Sequence, residues 1–203
     1  MRPLVGRERE VGLAIAGLRD PGTVVLLHGP AGIGKTRLLR EVLTLLHRDA
    51  DRPTVLHGRA NQLDADLAFA PLVDALTGHL DRLTPADLHE ALEGLDVLGD
   101  LLDGYGLPRS PAGRPEDDAL HRTRRLEAIR RLVGRVSGRR VLLVLDDAHW
   151  ADEGTLGAVA HLSRSLGDDR LTLALTDRDE EATPRCEPPS PRCGGRARSS
   201  TWP

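Results

Sequence analysis

Gly29-Pro30-Ala31-Gly32-Ile33-Gly34-Lys35-Thr36 decides the fold of this 203-residue chain. It fits the pattern GxxxxGK[ST], a loop whose backbone N–H groups cradle phosphates while its lysine reaches the terminal ones. Glycine at 29, 32 and 34 lets the main chain close around an anion with successive N–H groups turned inward. Lys35 is also the only lysine among 28 lysine and arginine residues. A lone compact ammonium in an arginine-rich chain suggests a place that a broad, planar guanidinium cannot fill.

The flanks suit the loop. Thr23 to His28 is a short apolar, β-branched run after the breaker Pro21-Gly22, which predicts a buried strand. Beyond Lys35, the positions Leu38, Leu39, Val42, Leu43 and Leu46 repeat at helical spacing. That helix would aim the positive end of its dipole at the bound phosphates, with Thr36 and Arg37 in its first turn.

A second site residue group lies far along the chain. Arg139 to Leu145 ends in an uninterrupted apolar run, as expected for a central parallel strand covered on both faces, and it closes on Asp146-Asp147. Two acids at a strand end can be solvated turn residues. Paired with an upstream phosphate loop, they read as the acids of a nucleotide site. Thr36 then binds Mg2+ directly through its hydroxyl, Asp146 holds the ion or one of its waters, and Asp147 orients or polarises an attacking water.

Between these motifs, helical spacing covers Arg7 to Leu18, Pro71 to Leu83 and Leu126 to Val136. Thr84-Pro85-Ala86-Asp87 has the capping hydroxyl, the proline and the acid of a helix start. Pro53 to His57 predicts a second strand, followed by Gly58-Arg59-Ala60 as a turn. Glu153 to Leu166 predicts a last helix and Leu171 to Thr176 a last strand, while Leu107 to Pro115 reads as an exposed connection. Strands alternating with helices give an α/β fold with an open, mostly parallel sheet, whose ligand site lies at the carboxyl ends of the strands.

Composition narrows the function. The formal charge is −3 and aromatic residues make up 2% of the chain, so neither a basic face nor a base-stacking platform for direct nucleic-acid binding is evident. No signal peptide or membrane-length apolar run is visible, so a cytoplasmic protein without membrane contact is expected. Cys186 and Cys193 have no neighbouring histidine and read as incidental.

Three segments in order, Leu4 to Glu10, the phosphate loop, and Leu145-Asp146-Asp147-Ala148-His149-Trp150-Ala151-Asp152, together resemble the AAA/STAND-type P-loop NTPase module of large LuxR-family transcriptional regulators. The resemblance spans Leu4 to Glu181. It implies ATP as the nucleotide, Val5, Gly6 and Arg7 beside the adenine, and Gly29 to Arg37 around the phosphates. It further implies ATP hydrolysis with Lys35, Asp147 and Arg178 as the catalytic set, Arg178 sensing the γ-phosphate. A solvated loop arginine is the other reading of Arg178, and His149 and Trp150 can serve packing alone.

The chain also departs from that family. Residues 1–181 match an ATP-binding domain, whereas 182–203 turn to Pro, Arg, Ser, Gly and Cys without apolar periodicity and are expected to be a disordered tail. A C-terminal strand and a helical lid are therefore expected to be missing, which a shifted reading frame would explain. Val24 to Leu27 would become an exposed edge open to self-association or to pairing with a related ATPase. Affinity and turnover would fall without a lid. A self-sufficient small P-loop kinase or hydrolase, or a non-catalytic fragment that pairs with a full-length relative, are the competing readings.

Overall fold

The computed structural model describes residues 6–64, 67–109, 118–136, 140–164, 170–178 and 196–201, the side chains of Asp118 and of 196–201 excepted. Within them, β1 (Thr23–Gly29), β2 (Thr54–Arg59), β3 (Val141–Asp146), β4 (Leu171–Arg178) and β5 (Arg196–Thr201) form one sheet. Its order is β2-β3-β4-β1-β5 and each neighbouring pair is parallel. Every residue of β3 is buried, as a central strand covered on two faces requires.

Among the described residues, six α-helices cover the sheet: α1 (Glu8–Arg19), α2 (Lys35–Leu46), α3 (Ala70–Leu80), α4 (Pro85–Leu92), α5 (Asp118–Arg135) and α6 (Glu153–Leu162). On one face Ala14 and Leu18 of α1 and Leu38, Leu39, Val42 and Leu46 of α2 pack on Val25, Leu27, Leu142, Val144 and Ala174. On the other, residues of α3, α4, α5 and α6 pack on Leu56, Leu143, Leu145, Leu171 and Leu173. Alternate residues of a strand point to opposite faces, so β3 and β4 serve both clusters. Each fully buried leucine contributes roughly 1.5–3 kcal/mol relative to exposure, so α2 is fixed firmly against β1 and β3.

Local chemistry sets the element ends. Thr84 caps α4 by accepting from the Asp87 N–H at 3.3 Å, and Asp152 caps α6 by accepting from the Thr155 N–H at 3.0 Å. The expected turn at Gly58-Arg59 is instead the end of β2. Glycine is required there because α3 crosses so closely that a Cβ would overlap the Pro71 carbonyl oxygen. The expected helices near Pro71 and Glu153 are found with shorter C-terminal ends. Of the Leu107 to Pro115 connection, 110–115 fall outside the described residues, as do Cys186 and Cys193.

The expectation of a missing strand and an exposed β1 edge is overturned. Arg196–Thr201, within the segment read as a disordered tail, lies parallel to β1 from Thr23↔Arg196 to His28↔Thr201. The physical reason is that an apolar edge presents a row of unpaired N–H and C=O groups, and pairing with them needs only backbone. Residues 182–195 of the same segment lie outside the described residues.

Candidate functional site

The phosphate loop connects β1 to α2, and its shape follows from its glycines. Gly32 has φ +75° and Gly34 φ +98°, and a Cβ at either would meet nothing within 4 Å. Their requirement is thus conformational: the left-handed backbone is what a side chain would strain, with no crowding involved. Gly34 is the N-cap of α2, and the Leu38 N–H donates to its carbonyl at 2.9 Å. Lys35 opens the helix and is buried at 6% exposure. Its Nζ donates to the carbonyls of Gly29 at 2.7 Å and Pro30 at 3.0 Å.

The two motifs meet. Thr36 Oγ1 donates to Asp146 Oδ1 at 3.1 Å across 110 residues of sequence. Asp146, at the end of β3, is 2% exposed, and the same Oδ1 accepts from Thr176 Oγ1 of β4 at 2.5 Å. Thr176, fully buried, in turn accepts from the Asp147 N–H at 2.7 Å. Asp147 has φ +58°, a left-handed conformation that an aspartate tolerates and that this hydrogen bond holds. One hydroxyl of β4 thereby fixes both acids of β3.

Register explains why these side chains converge. Arg59 pairs with Asp146 in the β2–β3 ladder, and Gly29 with Arg178 in the β1–β4 ladder. Four strands therefore end together at the carboxyl edge. The Asp147 carboxylate is gripped from both sides: Arg59 donates to Oδ2 at 3.1 and 3.3 Å, and Arg178 Nε lies 3.8 Å from Oδ1. Burial, and after it the Arg178 guanidinium, push the Lys35 ammonium below the usual lysine range, against the pull of Asp147, Asp177 and Asp146.

The residues fit the groups the sequence implies. Thr36 and Asp146 present hard oxygen donors 3.1 Å apart. Adjacent ligands on an octahedral Mg2+ with bonds of about 2.05 Å are about 2.9 Å apart, so the pair suits that ion. The loop carries an anion cradle of main-chain N–H groups and one ammonium, which suits phosphate.

Of the other expected site residues, Gly29 to Arg37 form the loop and first turn of α2, and Arg178 is the last residue of β4, where the sequence had placed it just past the strand. Gly6 and Arg7 precede α1, with the Gly6 N–H donating to Glu8 Oε1 at 3.2 Å, while Val5 lies outside the described residues. Sequence reading missed Arg59, Thr176 and Asp177. Thr176 sits in Leu171-Thr172-Leu173-Ala174-Leu175-Thr176, where a β-branched residue reads as ordinary strand filler. Arg59 was hidden by Gly58, which imitates a turn.

No helix among the described residues is long and apolar enough to cross a membrane. Comparison with curated proteins finds no match. Among solved structures, the chain is similar to one of the Drosophila ORC bound to DNA, at 18% identity and TM-score 0.44 over 87% of this chain and 38% of that one. It is also similar to a signal transduction ATPase with numerous domains (STAND) from Pyrococcus horikoshii that carries a tetratricopeptide repeat sensor. There the identity is 17% and the TM-score 0.42, over 98% of this chain and 23% of that one. The chain thus spans well under half the length of either structure. The AAA ATPase domain family matches residues 3–175, most of the sequence, and this chain belongs to that family.

Proposed function

We propose that this chain is the Mg-ATP-binding switch module of a LuxR-type, cytoplasmic transcriptional regulator, with slow ATP hydrolysis. The observation that carries the nucleotide reading is the 3.1 Å contact of Thr36 with Asp146, which closes two distant motifs into one site. The regulator reading is supported by the order of the three motifs, Leu4 to Glu10, Gly29 to Thr36 and Leu145 to Asp152. Self-association or pairing with a related ATPase is the partnership it carries.

The chain's residues divide the work. Loop N–H groups and Lys35 Nζ bind the β- and γ-phosphates, whose oxygens take the place of the Gly29 and Pro30 carbonyls on the ammonium. Thr36 Oγ1 and Asp146 hold Mg2+, which when bound neutralises charge on the phosphates. Val5, Gly6 and Arg7 border the adenine. Asp147 accepts the proton of the attacking water, and Arg178 contacts the γ-phosphate. Slow turnover is expected because Arg59 and Arg178 occupy the Asp147 carboxylate, which an attacking water must reach.

Titration with ATP, read by Trp150 fluorescence, tests the reading. Binding in Mg2+ that weakens by roughly 100-fold in Lys35→Ala is the expected result, the loss of charge-assisted hydrogen bonds to phosphate. Phosphate release should stay below about 1 per second, under the ordinary enzyme range. Affinity that is unchanged in Lys35→Ala would remove the claim.

A further inference from the structure

At the amino end of the sheet, the pole opposite the phosphate loop, two buried hydroxyls stand side by side. Thr23 opens β1 and Thr172 is the second residue of β4. Each is 1% exposed, and neither Oγ1 has a hydrogen-bond partner among the described residues. The β1–β4 ladder pairs Val24 with Leu173, so one residue earlier Thr23 lies beside Thr172. Val24 and Leu173 pack with the cluster of α3 to α6, so both threonines face the other way, toward α1 and α2. Neighbouring strands lie about 4.8 Å apart, and two O–H···O bonds of about 2.75 Å that meet at one oxygen span about 4.5 Å.

A third unmet group belongs to the same face. Leu142 pairs with Thr172, and Arg140, two residues before Leu142, projects from the same side. Its guanidinium donates to the last carbonyls of α1, Nη1 to Arg19 at 2.9 Å and Nη2 to Leu18 at 3.3 Å, whereas Nε is buried with no partner among the described residues. Leu18 and Leu142, 1% and 0% exposed, close the place from solvent. α1 crosses β1 so tightly that a Cβ on Gly17 would lie 2.8 Å from Val25 Cγ2, which leaves little room above the strands. The Arg140 charge already faces Asp49, held by Arg19, so an occupant need carry none.

We propose that Thr23 Oγ1, Thr172 Oγ1 and Arg140 Nε bind one buried water molecule, which joins β1 and β4 to the C-terminal turn of α1. A buried water makes about three hydrogen bonds to groups otherwise unmet, and three such groups share this face. The water accepts the Arg140 Nε–H. Its second lone pair and two hydrogens serve the hydroxyls, each of which can donate or accept. β1 leads into the phosphate loop and α1 follows the Gly6-Arg7 segment, so the bridge ties together two elements of the nucleotide site at the end remote from it. It holds whether or not the chain binds a nucleotide.

Urea unfolding of the full chain carrying Thr23→Val, Thr172→Val or both tests the bridge, because valine keeps the shape and removes the hydroxyl. With a shared water, each single change lowers the urea midpoint, and the double variant falls by clearly less than the sum of the two shifts. If the hydroxyls are simply unmet, valine at either position leaves the midpoint unchanged or raises it. That result, or losses that add in full, overturns the proposal. A crystal structure fine enough to show ordered water gives the direct measurement. One water within about 3.2 Å of both hydroxyls and of Arg140 Nε is expected, and it should be gone in the double variant. Hydroxyls bonded to each other or to protein groups, or a chloride between them, would overturn the assignment.

Discussion

Thr176 Oγ1 donates to Asp146 and accepts from the Asp147 N–H, so a single hydroxyl satisfies polar groups of both acids in a dry setting. Replacing it by an isosteric methyl leaves the buried Asp147 N–H unmet and Asp146 Oδ1 with Thr36 as its remaining donor. Thr176→Val should therefore cost about 1–3 kcal/mol of stability in urea unfolding, and Thr176→Ser should recover most of it. Equal stability of Thr176→Val and the parent would show that the hydroxyl holds nothing in place. At this scale the sequence is legible only where chemistry is local. Gly29 to Thr36 announces itself because its spacing serves one loop, and Asp146 because it ends an apolar run. Thr176, Arg59 and Asp177 acquire meaning only through strand register, which no local pattern displays.

Among the elements, α5 shows a charge arrangement with a measurable pH signature. Glu127 accepts from Arg130 at 2.9 Å and from Arg131 at 3.3 Å. The hydrogen bonds from Arg130, and after them its charge, bring the Glu127 carboxyl down from 4.5 to about 2, against the opposing effect of burial. A carboxyl whose folded value lies below its unfolded one stabilises the fold above the unfolded value and loses that effect as pH falls. The contribution of Glu127 is thus present above about pH 4.5 and disappears toward about pH 2. Its side chain is 36% exposed, so solvent screening keeps the effect below ~1 kcal/mol. Glu127→Gln should unfold at lower urea than the parent near pH 7, with the difference shrinking across that window. A difference that grows on acidification contradicts the assignment. Helix positions were legible because Leu38 to Leu46 and Leu126 to Val136 repeat at helical spacing. Their ends were less so: α3 stops at Leu80 and α6 at Leu162, while the apolar spacing that marks them in the sequence runs on to Leu83 and Leu166.

For the whole molecule, alternating strands and helices predicted a parallel sheet, but not which strand stands beside β1. Arg196 to Thr201 carries no apolar alternation, and its place is set by the backbone groups of β1. Removal of residues 196–203 should bare that edge and raise light scattering at micromolar concentration, as an uncovered apolar strand recruits other chains. A truncated chain that stays monodisperse would show that β5 does not protect the sheet.

The central claim, that Thr36 and Asp146 act as one metal-binding unit, is tested most directly by a double-mutant cycle on Mg-ATP affinity with Thr36→Val and Asp146→Asn. If the pair shares one ion, either change alone removes most of the Mg2+ dependence and the double variant is little worse than the singles, a coupling of about 1–3 kcal/mol. Losses that simply add, or a Mg2+ dependence that survives both changes, would contradict it.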